Sequence, residues 1–173
     1  MCACHDKQNL RKLMKERLKA FANKKSESQY IIESLLEDEA FNKAEIVLAF
    51  APLKSEPDIT PILSDERIAL PYIEDGIMHF SSDKNLDKSQ LGFLEPRNKV
   101  PLSYEKAVIL VPMLAFDNRL YRLGRGGGYY DRYLQKNRDK LYSIGLAFSV
   151  SKLDFLEVEE HDQKLDKIIC PNL

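Results

Sequence analysis

The residues best suited to chemistry on an anion lie between Val111 and Leu134. That stretch reads Val-Pro-Met-Leu-Ala-Phe-Asp-Asn-Arg-Leu-Tyr-Arg-Leu-Gly-Arg-Gly-Gly-Gly-Tyr-Tyr-Asp-Arg-Tyr-Leu. Four of the seven glycines fall at 124, 126, 127 and 128; Arg119, Arg122, Arg125 and Arg132 surround them, and Asp131 follows. Glycines let backbone N–H groups approach an anion closely, and a helix N-terminus favours negative charge. Arginines add forked donors that match phosphate or carboxylate. One carboxylate beside such a loop suits a phosphate-bound Mg²⁺. The pattern predicts a cradle for nucleotide phosphates, with Arg122 and Arg125 clamping the transferred phosphate and the leaving diphosphate. It is not a Walker A loop, because no Lys-Ser/Thr follows the glycines. It is not a dinucleotide fingerprint, because Tyr129 stands where the third glycine belongs. Tyr129 and Tyr130 are neighbours on the opening helix and face different ways, one toward the core and one free to stack on a planar ligand.

These residues need elements to hold them. Leu10, Leu13, Met14, Leu18 and Phe21 recur at helical spacing, so a helix capped by Asp6 is expected to run to about Ala22. Lys7 and Arg11 share one face of it, away from most of those apolar positions. A second helix starts at Ser26 or Ser28 and buries Ile31, Ile32, Leu35 and Leu36. Short strands are expected at 46–50, 67–71, 76–81, 107–112 and 141–148. Asp58 starts a helical turn over 60–63. Residues 83–104 read as a long loop and 153–173 as an acidic tail of little regularity. Gly126 or Gly127 opens a helix that ends near Lys136. Strands alternating with helices predict an α/β fold, a single domain with a mainly parallel sheet flanked by helices and the glycine-rich loop after a central strand. Ligands of such sheets gather beyond the carboxyl ends of the strands.

The spelling Leu-Ala-Phe-Asp followed by Arg-Leu-Gly-Arg-Gly-Gly-Gly-Tyr-Tyr-Asp-Arg-Tyr-Leu closely resembles the signature of the 5-formyltetrahydrofolate cyclo-ligases, also called methenyltetrahydrofolate synthetases. The likeness extends along nearly the whole chain. Lys7 and Arg11 match a Lys/Arg pair, Glu56 in Ser-Glu-Pro-Asp falls at a substrate-binding Glu, and Asp162 falls in a C-terminal acidic motif. The resemblance implies ATP-dependent, Mg²⁺-dependent closure of 5-formyltetrahydrofolate to 5,10-methenyltetrahydrofolate, with release of ADP and phosphate. It implies nucleotide contacts from Lys7, Arg11, Arg122, Leu123, Gly124, Arg125, Gly126, Gly127, Gly128, Tyr129 and Tyr130. Folate contacts would come from Glu56, Arg125, Gly126, Gly127, Gly128 and Tyr129. Asp131 and Asp162 would hold Mg²⁺, with Asp166 the alternative to Asp162. Three departures stand out. Leu120 replaces a usual glycine, so the preceding loop is expected to turn differently. Gly127 stands where some members have Lys, and Cys170 replaces a common Thr.

Composition bounds the rest. The 173 residues are 44% hydrophobic and 31% charged with a net charge of −1, enough for one full core and without a global pull toward polyanions. The longest apolar run, 107–116, is too short to span a bilayer. The first residues show no apolar signal core, so a cytoplasmic protein is expected, with a monomer favoured, no nucleic-acid partner and no membrane contact. Cys2, Cys4 and His5 lack a second ligand pair with metal spacing and read as a frayed terminus. Two other classes remain: a folate- or nucleotide-binding paralogue without catalysis, and a nucleic-acid-binding module using the Arg/Tyr-rich segment 119–133.

Overall fold

In the computed structural model, which describes residues 3–90 and 92–172 with side chains from residue 7 onward, six strands form one sheet. In chain order the helices are α1 (Ala3–Ala20), α2 (Lys24–Leu36), α3 (Glu39–Lys43) and α4 (Tyr129–Lys136). The strands are β1 (Val47–Leu48), β2 (Ile68–Glu74), β3 (Ile77–Ser81), β4 (Leu86–Lys88), β5 (Leu94–Pro96), β6 (Ala107–Pro112), β7 (Ala115–Phe116), β8 (Arg122–Leu123), β9 (Leu141–Leu146) and β10 (Lys167–Ile169). Single 3₁₀ turns occupy Thr60–Ile62 and Ser149–Ser151.

The sheet order is β10-β9-β6-β1-β2-β3, parallel except for β3, which returns antiparallel from β2 through Asp75 and Gly76. Both turn residues have positive φ (50° and 75°), as a two-residue hairpin of this hand needs. Side chains alternate along β6: Val108 and Leu110 pack with Met14, Leu18, Ile31 and Leu35 from α1 and α2. Ala107, Ile109 and Val111 pack on the other face with Leu134 of α4. Both faces are therefore covered, which is why β6 reads as an unbroken apolar run. After β1 the chain moves to β2, whereas β6 leads the opposite way to β9 and β10. The crevice between the carboxyl ends of β1 and β6 is thus a topological switch point.

Several local expectations need correction. α1 begins at Ala3, so Asp6 lies inside it rather than capping it, and it ends at Ala20. α2 begins at Lys24, and Leu36 is half exposed, because the stripe turns away at its last residue. Segment 83–104 is not all loop: β4 and β5 pair as a hairpin, although polar sequence and two prolines conceal it. The tail 153–173 is not irregular, since β10 pairs with β9 at the sheet edge and buries Ile168, Ile169 and Cys170. The Cys2, Cys4 and His5 reading lies outside the described side chains. No helix of the described residues is long and apolar enough to cross a membrane.

α3 was not expected from sequence. Asp38 makes it: its Oδ1 accepts from Phe41 N at 2.9 Å, and its Oδ2 pairs with Lys167 Nζ at 2.6 Å, tying α3 to β10. Burial pushes the Asp38 pKa up, but Lys167 and the Phe41 N–H outweigh it and hold it below the ordinary value of 3.8. Asp38→Ala should therefore cost about 1–2 kcal/mol, the range for losing an N-cap. The folded-state pKa is depressed, so this contribution is present above the ordinary carboxylate pKa and is lost as pH falls through the folded value. Denaturant melts at pH 7 and near pH 3 check both: the gap between parent and variant should shrink in acid.

Candidate active site at the β1/β6 switch point

Two loops meet at the switch point. The first follows β1 and turns tightly at 53–56, where Glu56 N donates to Leu53 O at 2.9 Å. Glu56 closes its own turn, accepting from Leu53 N at Oε2 (2.9 Å). Its side chain is 5% exposed, so the carboxylate is fixed before any ligand arrives.

The second loop follows β6 by way of the small β7–β8 hairpin, which sequence reading missed. Asp117, fully buried, pins it: the carboxylate accepts from Arg119 N and Nε, Tyr121 N and Leu156 N. Leu120 sits at φ 68°, in the left-handed region that favours glycine. The turn thus adopts a glycine-type conformation with leucine in place. Residues 124–128 then connect β8 to α4, and α4 opens at Tyr129 rather than at Gly126 or Gly127. Gly128 is its N-cap at φ 64°, and Gly126 has φ 108°, so neither residue is yet helical.

The loops join through Arg125, whose Nε donates to Glu56 Oε1 at 2.9 Å and whose Nη2 donates to Ser55 Oγ at 2.8 Å. Between them lies a cavity of about 290 Å³. Glu56, Arg122, Gly124, Arg125 and Asp131 give it a polar side; Phe50, Leu53, Ile73, Met78, Phe93 and Met113 give it an apolar one. Such a mixture suits a planar heterocycle with an anionic group attached. Both Tyr129 and Tyr130 line it and both pack against the core behind, so neither is reserved for the core alone. Burial pushes the Tyr130 hydroxyl pKa up, keeping it a neutral donor. The Arg132 guanidinium lies 5.0 Å from the Tyr129 ring centre and donates to Gly127 O at 3.0 Å.

Arg122 is buried in the wall of this cavity. Its Nη2 binds Asp131 Oδ1 at 2.9 Å and its Nη1 binds Gln163 O at 2.8 Å, while Gln163 N also donates to Asp131 Oδ1 at 3.0 Å. From the other side, Arg11 Nε donates to Gly124 O at 3.0 Å. Lys7 is buried, not solvated: its ammonium lies 2.6 Å from Asp162 Oδ2 and 3.1 Å from Glu159 Oε2. Burial alone would lower the Lys7 pKa; hydrogen bonds and charge from Asp162 and Glu159 outweigh it and raise the pKa. The Asp162 carboxyl is held low by the converse balance, its burial opposed by the Glu159 N–H and Lys7. Helix α1 and the C-terminal segment are therefore clamped onto the back of the glycine loop.

The 5-formyltetrahydrofolate cyclo-ligase family matches residues 3–171. The chain belongs to this family. A cyclo-ligase from Escherichia coli K12 is 30% identical over 145 residues, covering 75% of this chain and 79% of that one. A Haemophilus influenzae cyclo-ligase is 30% identical over 118 residues, covering 62% of this chain and 63% of that one. Among solved structures, the 5,10-methenyltetrahydrofolate synthetase of Aquifex aeolicus superposes with a TM-score of 0.79 at 28% identity, covering 96% of this chain and 90% of that one. The Mycoplasma pneumoniae synthetase gives 0.68 at 26%, covering 95% and 98%.

Set against the residues expected of a cyclo-ligase, the geometry brings Glu56, Arg122, Gly124, Arg125, Gly127, Gly128, Tyr129, Tyr130 and Asp131 onto one cavity. Lys7, Arg11 and Asp162 stand behind the glycine loop. Asp166, the alternative to Asp162, is occupied by Arg138 and Ser143. Sequence reading missed Glu159; Glu159, His161 and Asp162 place one ligand atom each within 4.8 Å of one another. It also missed Phe93, which the β4–β5 hairpin carries to the cavity.

Gly127 offers a local test. A Cβ there would lie 2.7 Å from Tyr129 Cε2, so any side chain, lysine included, forces the Tyr129 ring to turn. Gly127→Ala is expected to lower kcat/KM about ten- to a hundredfold, the scale of misplacing a contact by ~1 Å. The melting temperature should move little, since the site is exposed. Full activity in this variant would remove Tyr129 from the ligand site.

Proposed function

We propose that this cyclo-ligase-family chain closes 5-formyltetrahydrofolate to 5,10-methenyltetrahydrofolate at the expense of ATP, releasing ADP and phosphate. The observation that carries this reading is the Arg125–Glu56 contact, which sets a phosphate-type donor against a pterin-type acceptor over one cavity. In the reaction the formyl oxygen attacks the γ-phosphorus and ADP leaves. The N10 amine then adds to the activated formyl carbon, and phosphate departs as the ring closes. No protein nucleophile is required; positioning and charge neutralisation are. Glu56 accepts from the pterin N–H groups. Arg125 and the glycine-loop N–H groups hold the transferred phosphate. Tyr129 covers the heterocycle. Arg122 keeps Asp131 and the segment around Gln163 in place, and Lys7 and Arg11 serve the remaining phosphates.

The residues fit Mg²⁺, a hard cation bound by one or two carboxylates together with phosphate oxygens and water. Asp131 spends Oδ1 on Arg122 and Gln163, and Oδ2 makes no hydrogen bond among the described residues. Asp162 lies beside Glu159, a second oxygen donor. When bound, the ion would neutralise charge on the triphosphate. The net charge of −1 weighs against a nucleic-acid ligand. The deciding assay mixes the protein with 5-formyltetrahydrofolate, ATP and Mg²⁺ and follows methenyltetrahydrofolate absorbance and ADP. Binding of both substrates without product would leave a non-catalytic paralogue, and binding of neither would reject the reading.

A further inference from the structure

Arg125 is an exposed arginine between two glycines, the arrangement least able to hold a side chain still. Gly126 adopts φ 108°, and a Cβ at Gly124 would meet nothing within 4 Å. The backbone therefore does little to aim the guanidinium. Two contacts from the opposite loop do so instead. Glu56 Oε1 takes Nε at 2.9 Å and Ser55 Oγ takes Nη2 at 2.8 Å. Both nitrogens belong to the same side edge of the planar fork. One contact leaves the plane free to rotate about it; two fix its plane and direction. Of five N–H donors, the Nη1 pair and one on Nη2 have no hydrogen-bond partner among the described residues, and the side chain is 37% exposed. Two of these free donors, one on each Nη, form the end edge of the fork, a ready pair for two phosphate oxygens. The anchored edge, in turn, holds this phosphate donor beside the pterin acceptor.

We propose that Ser55 is a positioning residue for the reaction: by fixing the Arg125 guanidinium plane it aims the free edge at the transferred phosphate. This rests on the functional reading above. Glu56 alone could neutralise Arg125, so Ser55 contributes orientation rather than charge. Its removal should therefore fall on the transition state, where phosphate charge is redistributed, and not on ground-state binding.

The test compares Ser55→Ala and Ser55→Thr with the unaltered chain, alone and in the Arg125→Lys background, by steady-state kinetics with each substrate varied and by thermal melts. Ser55→Ala is expected to lower kcat about tenfold, with both KM values within twofold and an unchanged melting temperature. Ser55→Thr, which keeps the hydroxyl, should restore kcat to within twofold. In the Arg125→Lys background, Ser55→Ala should cost less than a further twofold, because the fork it steadies is gone. Three outcomes with an active parent would overturn the role: kcat unchanged in Ser55→Ala, threonine as impaired as alanine, or the same tenfold loss in the Arg125→Lys background. A loss that tracks the melting temperature would equally overturn it, making Ser55 merely structural. An unaltered chain that binds substrates but makes no product would defeat the functional reading itself, and this role with it.

Discussion

Replacing Arg125 with alanine is expected to lower kcat/KM by about two to three orders of magnitude, roughly 3–4 kcal/mol of transition-state stabilisation. Two reasons make this the largest effect. The guanidinium lines the cavity with N–H donors that have no hydrogen-bond partner among the described residues, and it is the cation that directly pairs with buried Glu56. The same pairing predicts a cost in stability, because the variant leaves a 5%-exposed carboxylate with Leu53 N alone. Water can reach the vacated space, since Arg125 is itself partly exposed, so the melting temperature should fall modestly. The double variant Arg125→Ala, Glu56→Gln separates the two effects: it should recover the melt without recovering turnover. Activity within tenfold of the parent in Arg125→Ala would reject the role, and so would turnover restored in the double variant.

The second large effect is expected of Glu56→Gln. The carboxylate accepts at both oxygens, from Leu53 N and from Arg125 Nε. A glutamine has one acceptor oxygen and one NH₂ donor, so one of these N–H groups would face another donor. That should cost about 1–3 kcal/mol of stability. The folate KM should rise about tenfold or more, because a pocket of substrate N–H donors loses a charged acceptor. The ATP KM should rise less, through the loosened Arg125. Isothermal titration with folate alone, then with a non-hydrolysable ATP analogue, distinguishes the two losses. If only the nucleotide affinity changes, Glu56 is an arginine anchor and not a pterin ligand.

How far each feature could be read in advance followed the range of the interaction behind it. The glycine loop was legible because its residue types are rare and adjacent. Strand β6 was legible because burial on both faces leaves an unbroken apolar run. Strand β10 and the β4–β5 hairpin were not, because their short, mixed sequences become strands only against partners already in place. α3 depends on the Asp38 cap and its tie to Lys167, 129 residues away.

The sequence by itself determined the fold class and the family, and it singled out the glycine- and arginine-rich segment 119–132 as the stretch expected to meet an anion. Those follow from residue type and spacing, which are local. Only the tertiary structure decided what these charges do in the folded chain. Lys7 is expected as a nucleotide ligand on the face of α1 away from its apolar stripe, yet it is buried against Asp162 and Glu159. Arg122 reads as a phosphate clamp, yet it is buried, with each outer nitrogen bound to Asp131 or Gln163. Arg125 alone of the three stays exposed, at 37% of its side chain, while bound to Ser55 and Glu56. The physical reason is electrostatic. A buried or half-buried charge must find a counter-charge or a hydrogen bond, and the partner it finds is fixed by which loops the β1/β6 switch point brings together, not by what lies next to it in the chain.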